Sequence, residues 1–298
     1  MNAAAALSPV RGRRRLGRYL PILCLLAPLL VFMGVFYGAP MLLLADESFR
    51  NSPTDEVKRP EPTAHHYART FESARTLRSL TRTFRLSAIA TVIALVVCFP
   101  IALLLIHAGP RLRTSLLLVI FVSLAASLLV RNYGWLVVLA DQGPLNRILM
   151  WLGVFAAPER LVYSEGAIVV ALVHYMMPFV ILPIYAALLR IPSSLAEASQ
   201  SLGGNSWTTF ARIIWPLALP GVFGGTILAF SIGTSAFVTP LMLGAPQTAM
   251  ISQVAAEQFL VQQNFAWGSA IVIVLTAITL VIVALYALVL RKVFRVAV

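Results

Sequence analysis

Six long apolar runs joined by short polar segments set the plan of this chain. They cover about Tyr19–Ala45, Leu86–Ile106, Thr114–Ala140, Gly166–Leu189, Pro216–Leu243 and Trp267–Leu290. Each reaches the roughly twenty apolar residues that a helix needs to cross a bilayer, so the pattern predicts six transmembrane helices. Pro21, Pro28 and Pro40 would kink or bound the first. The one long polar segment, 46–85, opens with the loop signals Asn51-Ser-Pro-Thr-Asp and Arg59-Pro-Glu-Pro. From His66 to Arg85 it turns helical, with Tyr67, Phe71, Ala74, Leu77, Leu80 and Phe84 at steps of three and four. That predicts an amphipathic helix lying on the membrane surface. Two further loops, 141–165 and 244–266, carry the turn Gly143-Pro144 and a predicted short surface helix at Ala255–Leu260.

Between the fourth and fifth runs lies PSSLAEASQSLGGNSWTTFARIIWPLALP, residues 192–220. Ser194-Leu-Ala-Glu197 has the spacing of a capping box, which would start a short helix. Gly203-Gly204-Asn205 suits the left-handed geometry that stops one. Ser206 then predicts the cap of a second helix, running through Phe210 and Ile213 to Pro216. A helix, a glycine turn and a helix between two membrane runs make a docking lever, not an active site.

Composition narrows the class. The chain is 59% hydrophobic and 11% charged, which predicts an all-α polytopic membrane protein. The net charge of +12 does not indicate nucleic acid, because the cations cluster at the ends of apolar runs, as topology signals do. Six spans put both termini on one side. There lie Arg11, Arg13, Arg14, Arg15, Arg18, Arg111, Arg113, Arg190, Arg212, Arg291, Lys292 and Arg295, against the single acid Glu197. That side is expected to be cytoplasmic. The expected order is a cytoplasmic basic tail (1–18) without signal-peptide cleavage and a first helix (19–45). An external loop with its surface helix (46–85) follows, then a five-helix core (86–291) holding the loop 192–216, and a cytoplasmic tail (292–298). Arg69, Arg75, Arg78 and Arg82 oppose this topology, partly balanced by Asp46, Glu47, Asp55, Glu56, Glu61 and Glu72.

Several chemistries find no residues. Cys24 and Cys98 sit inside apolar runs as small hydrophobes, with no metal or disulfide pattern. There is no Walker A glycine loop, so ATP and its magnesium would be bound by another subunit. A catalytic site in the membrane would need paired acids, a Ser–His pair or H-E-x-x-H, and His174 stands alone. An ion-coupled secondary transporter, the alternative from another class, would commonly show internal repeats or midplane carboxylates. Neither is present in the sequence.

The segment 192–216 resembles the EAA loop of permease subunits of bacterial ABC importers. The matching residues are Glu197, Ala198, Ser199, Gly203, Ile213 and Pro216. Ser199 and Trp215 depart from the family's Ala and Leu. Further stretches resemble spermidine/putrescine-type permeases: Arg131-Asn-Tyr133-Gly-Trp135, Pro178-Phe-Val-Ile-Leu-Pro183-Ile-Tyr185, Phe237-Val-Thr239-Pro240-Leu-Met-Leu-Gly244 and Asn264-Phe-Ala-Trp267-Gly268. The resemblance implies a type I ABC importer permease fold in the bacterial inner membrane. It implies a second related permease, two ATPase subunits and an external substrate-binding protein as partners. Coupling would run through Glu197–Pro216. Polyamines come first as substrate, ahead of opines, 4-aminobutyrate, phosphonates or ferric ion. Where some relatives carry an acid before Phe-Val, this chain has Ala236.

Candidate transport residues follow from polarity inside apolar runs. Arg131 is a gating charge or a structural one that bonds backbone carbonyls. His174 and Tyr175 are a substrate contact or an interhelical bond. Tyr133 and Trp135 are an aromatic wall for an ammonium group or residues of the interfacial belt. Ser231, Thr234, Ser235 and Thr239 form a polar stripe on the fifth run, the expected pathway lining. Gly221-x-x-x-Gly225 there predicts a close helix contact, with a partner permease or a neighbouring span.

Overall fold

The computed structural model describes residues 16–53, 55 and 60–297, with side chains from 25 to 290 within those limits. Arg11, Arg13, Arg14, Arg15, Glu56 and Arg59 lie outside the described residues. So do the side chains of Arg18, Cys24, Arg291, Lys292 and Arg295.

All described secondary structure is helical. Helix α1 (Leu16–Met33) passes through a widened turn, Gly34–Gly38, into α2 (Ala39–Glu47). Helix α3 (His65–Glu72) is the surface helix, but it ends well short of Arg85. Ser73 takes extended geometry and its Oγ accepts from Thr76 N at 3.3 Å, starting α4 (Ala74–His107). Residues 74–85 are therefore the head of the second membrane helix. Their apolar face, Leu80 and Phe84, is covered by other helices, not by lipid headgroups.

The third run is also not one helix. It divides into α5 (Pro110–Ala125) and α6 (Leu128–Leu139), followed by α7 (Pro144–Trp151), with a bend of 103° at the break. Helix α8 (Glu165–Leu188) is the fourth crossing. Then come α9 (Ser193–Ser201), α10 (Ser206–Thr209) and a widened turn, Phe210–Ile214, leading into α11 (Trp215–Thr234). The fifth run stops at Thr234, where Ser235 Oγ donates to Ser231 O (2.9 Å) and breaks the helix before α12 (Val238–Leu243). Helix α13 (Ile251–Leu260) stands where the short helix at Ala255–Leu260 is expected, starts four residues earlier and buries one face, and α14 (Phe265–Ala297) is the last crossing. Five described helical stretches are long and apolar enough to span a membrane, and the bent α5–α6–α7 pair makes six when counted as one crossing.

Helices α4, α8 and α11 form the centre. Leu86, Ala90, Ala94, Cys98, Leu172, Met176, Val180, Ile184, Ala218 and Val222 meet there. Lipid is as apolar as these side chains, so close packing, not water exclusion, holds the helices together. Glycine makes that packing possible. A Cβ added at Gly221 would lie 2.6 Å from Ala187 Cβ and 2.9 Å from Ile184 Cα; one at Gly233 would lie 2.8 Å from Met176 Cε. The Gly221/Gly225 stripe thus faces α8 of the same chain. At the end of the bundle away from 189–215, α13 lies between α4 and α14. There α12 packs with α6 and α8 through Leu139, Ala171 and Leu243.

Candidate functional site

The hairpin 192–216 is built by local hydrogen bonds. Helix α9 starts two residues earlier than expected, with Pro192 as cap and no side-chain bond, so the Ser194–Glu197 capping box does not form. Glu197 and Ala198 lie exposed on its surface. Gly203, at φ 83°, ends the helix. Its N–H donates to Gln200 O and that of Gly204 to Ser199 O, both at 2.9 Å, the paired bonds of a left-handed helix stop. Asn205, not Ser206, caps α10: its Oδ1 accepts from Thr208 N at 2.8 Å.

Both departures from the family motif have partners. Ser199 Oγ lies 2.8 Å from Thr209 Oγ1, tying α9 to α10. The Trp215 ring packs 5.2 Å from Phe99 and 6.3 Å from Phe210. Ile213 and Pro216 are half-buried at the root of α11. At the tip, Leu202 is 90% and Trp207 73% exposed. Neither residue was singled out from the sequence, although two large apolar groups in a polar loop are a signal.

The other polar residues gather around the break between α5 and α6. Arg131, 8% exposed, donates Nη2–H to Ser123 O and to Ala126 O (3.2 Å). It caps the carbonyls that α5 leaves open inside an apolar region. Its guanidinium also stands 5.2 Å over the Tyr175 ring. A charged group bonded to two carbonyls predicts that Arg131→Met destabilises the protein by about 2–3 kcal/mol. Lys should not rescue it, since one ammonium lacks the fork. Thermal unfolding of purified protein reads both.

Trp135 Nε1 donates to His174 Nδ1 at 3.1 Å, which leaves the imidazole proton on Nε2. Asn132, buried and not picked out from the sequence, receives Thr239 Oγ1 at 3.3 Å. Tyr133 points elsewhere and is exposed beside Arg147 in an open hollow. The stripe expected on the fifth run is not continuous. Thr234 and Thr239 are buried, Thr234 bonds back to Ser231 O (3.1 Å), Ser231 is half-buried and Ser235 is exposed.

Most arginines of 69–85 find acids distant in sequence, while Arg78 donates only to Ala74 O (3.0 Å). Arg75 pairs with Glu257 through two bonds (2.9 and 2.6 Å). Arg82 and Arg85 share Glu165 at 2.9 and 2.5 Å, and Arg82 also reaches Ala249 O. Arg69 stacks 3.8 Å over Trp267, whose Nε1 donates to Thr70 Oγ1.

Beside them His66 is buried, 3.1 Å from Arg50 O and 3.4 Å from Asp55 Oδ2. Burial lowers its pKa despite the pull of Asp55. The folded form then resists a proton that the unfolded chain accepts. Stability contributed here is full above the ordinary value near 6.5 and is lost as pH falls from there toward the lowered value. Amide protection across 60–70, taken relative to the intrinsic exchange rate at each pH, is expected to fall between pH 7.5 and 5.5, and His66→Gln should flatten that dependence.

A family profile described as "binding-protein-dependent transport system inner membrane component" matches residues 92–295. The chain belongs to this family. Relatives of this permease include the Spermidine/putrescine transport system permease protein PotB of Haemophilus influenzae. It is 33% identical over 201 residues, covering 67% of this chain and 70% of that one. PotB of Escherichia coli is 29% identical over 252 residues, covering 85% and 90%. Among solved structures, the bacterial ABC transporter for the acidic polysaccharide alginate superposes with a TM-score of 0.77 at 18% identity, covering 94% of this chain and 98% of that one. The MetNI methionine ABC transporter gives 0.57 at 17%, covering 75% and 96%. This permease is therefore a multi-pass inner-membrane subunit of an ABC importer, with the all-α fold of that class.

Proposed function

We propose that this permease carries polyamines, putrescine or spermidine, inward through a pathway it forms with a second related permease. Two ATPase subunits, which hold ATP and magnesium, grip the hairpin 192–216 on the cytoplasmic side. An external binding protein delivers substrate at the opposite face. Both termini are cytoplasmic in this reading.

The observation that carries the coupling role is the hairpin itself. Two short helices are locked by the Gly203 stop and the Ser199–Thr209 bond, with Leu202 and Trp207 bare at the tip. A lever of this kind needs stiffness and an apolar end for a partner's groove. The polyamine assignment rests on the names of the PotB relatives. It agrees with Arg131, whose charge is turned onto backbone carbonyls and away from a cationic passenger. Trp135, beside His174, supplies an aromatic face nearby for an ammonium group, whereas Tyr175 is already covered by Arg131.

The test is ATPase activity of the reconstituted complex with its binding protein across a ligand panel. Stimulation by putrescine or spermidine at low concentration supports the reading. Stimulation by a zwitterion or an anion instead keeps the ABC mechanism and discards polyamines.

A further inference from the structure

The hairpin touches more than the helix it leads into. Phe99, buried on α4, lies against two of its rings: Phe210 at 5.8 Å and edge-on (83°), and Trp215 at 5.2 Å. Trp207 extends the chain of rings toward the tip, 5.7 Å from Phe210. Phe99 is followed by Pro100 inside α4. Proline removes one backbone bond there and leaves the helix locally easier to bend. On the hairpin side the same rings flank the widened turn Phe210–Ile214, a geometry at which helices kink. A compliant point on α4 and a compliant turn on the hairpin are thus bridged by aromatic side chains in edge-on and tilted contact. The ring that closes the bridge is Trp215, one of the two positions at which the hairpin departs from the motif it resembles.

We propose that Phe99 is a second output of the hairpin. Its movement reaches α4 directly, through Trp207, Phe210, Trp215 and Phe99, as well as along the backbone into α11. Phe99 and Trp215 act here as positioning residues for the transport cycle. The inference rests on the coupling role proposed above.

Spatial adjacency alone does not establish coupling, so the test measures it. Nitroxides at Leu104 on α4 and Leu189 beyond α8, both exposed, report the distance between those helices in the whole reconstituted complex. The probe is ATP with vanadate, which needs no transported ligand. Wild type and Trp215→Phe should show a nucleotide-driven change in distance. Trp215→Ala and Phe99→Leu should lose most of it while ATP turnover persists. The double variant should lose no more than either single one, because the two side chains act through one contact. A full distance change in Trp215→Ala or Phe99→Leu overturns the proposal, as does no change in wild type. So does additive loss in the double variant, or loss of movement and ATP turnover together in every variant. Leu202→Asp separates this inference from the reading beneath it. If that variant moves α4 normally, the hairpin is not the docking element. If it abolishes movement while Trp215→Ala does not, only the second output fails.

Discussion

Leu202→Asp is expected to leave the permease folded and inserted while uptake falls roughly thirtyfold and ATP turnover ceases to respond to loaded binding protein. Leu202 is 90% exposed within the chain, so the substitution removes almost no internal packing. In the partner's groove the same carboxylate would be desolvated without a counter-ion. Loss of one apolar anchor at such an interface costs about 2 kcal/mol or more, which is the factor given. Glu197→Lys should act in the same direction from the exposed flank of α9. Uptake and ATP turnover in proteoliposomes, set against the amount of assembled complex, separate uncoupling from failed assembly. Wild-type uptake in both variants would remove the hairpin from the mechanism.

Gly221→Ala should damage the fold itself, although it adds one methyl group. That methyl would lie against Pro183 O, 2.6 Å from Ala187 Cβ and 2.9 Å from Ile184 Cα. Most of these are backbone or first side-chain atoms of α8, which cannot rotate away, so α8 and α11 must separate. Overpacking of this kind costs about 1–3 kcal/mol, and Gly221→Leu more. Gly224→Ala is the matched control, because its new Cβ would find only Pro183 Cβ at 3.8 Å. It gains helix propensity without a clash. Thermal unfolding in detergent should rank Gly224→Ala at or above wild type and Gly221→Ala clearly below. Equal melting temperatures for the two alanines would mean that α8 and α11 are not held at this distance.

What could be read from the sequence depended on how local the cause was. The membrane runs and the Gly203 stop were legible because composition and left-handed geometry belong to single residues or short windows. The break at Ala126–Ser127 was not. No proline or glycine marks it, and it is held by Arg131, whose guanidinium reaches back to Ser123 and Ala126. The surface helix expected to Arg85 ends at Glu72 for a related reason. The spacing of Leu77, Leu80 and Phe84 fits a bilayer surface as well as it fits α13 and α14, and only the tertiary packing decides. The cap of α10 falls on Asn205, one residue before Ser206, since adjacent polar residues compete for the same role. The ion pairs of Arg75 and Arg82 join positions far apart in sequence, beyond any window of pattern reading. Among the candidate pathway residues, type was legible but direction was not. Tyr133 and Trp135 stand two apart on one helix and face different surroundings.

The bend between α5 and α6 also bears on the lipid. Helix α5 has 16 residues, about 24 Å at the helical rise, short of the ~30 Å hydrocarbon core. Helices α4 and α14 run for 34 and 33 residues and can tilt to suit a thicker bilayer. The bent crossing can do so only by moving the junction that Arg131 secures. Bilayer thickness therefore bears on this protein through one crossing more than through the rest. Transport measured in vesicles of graded acyl-chain length should decline toward the thick end, and the decline should begin at shorter chains once Arg131 is replaced.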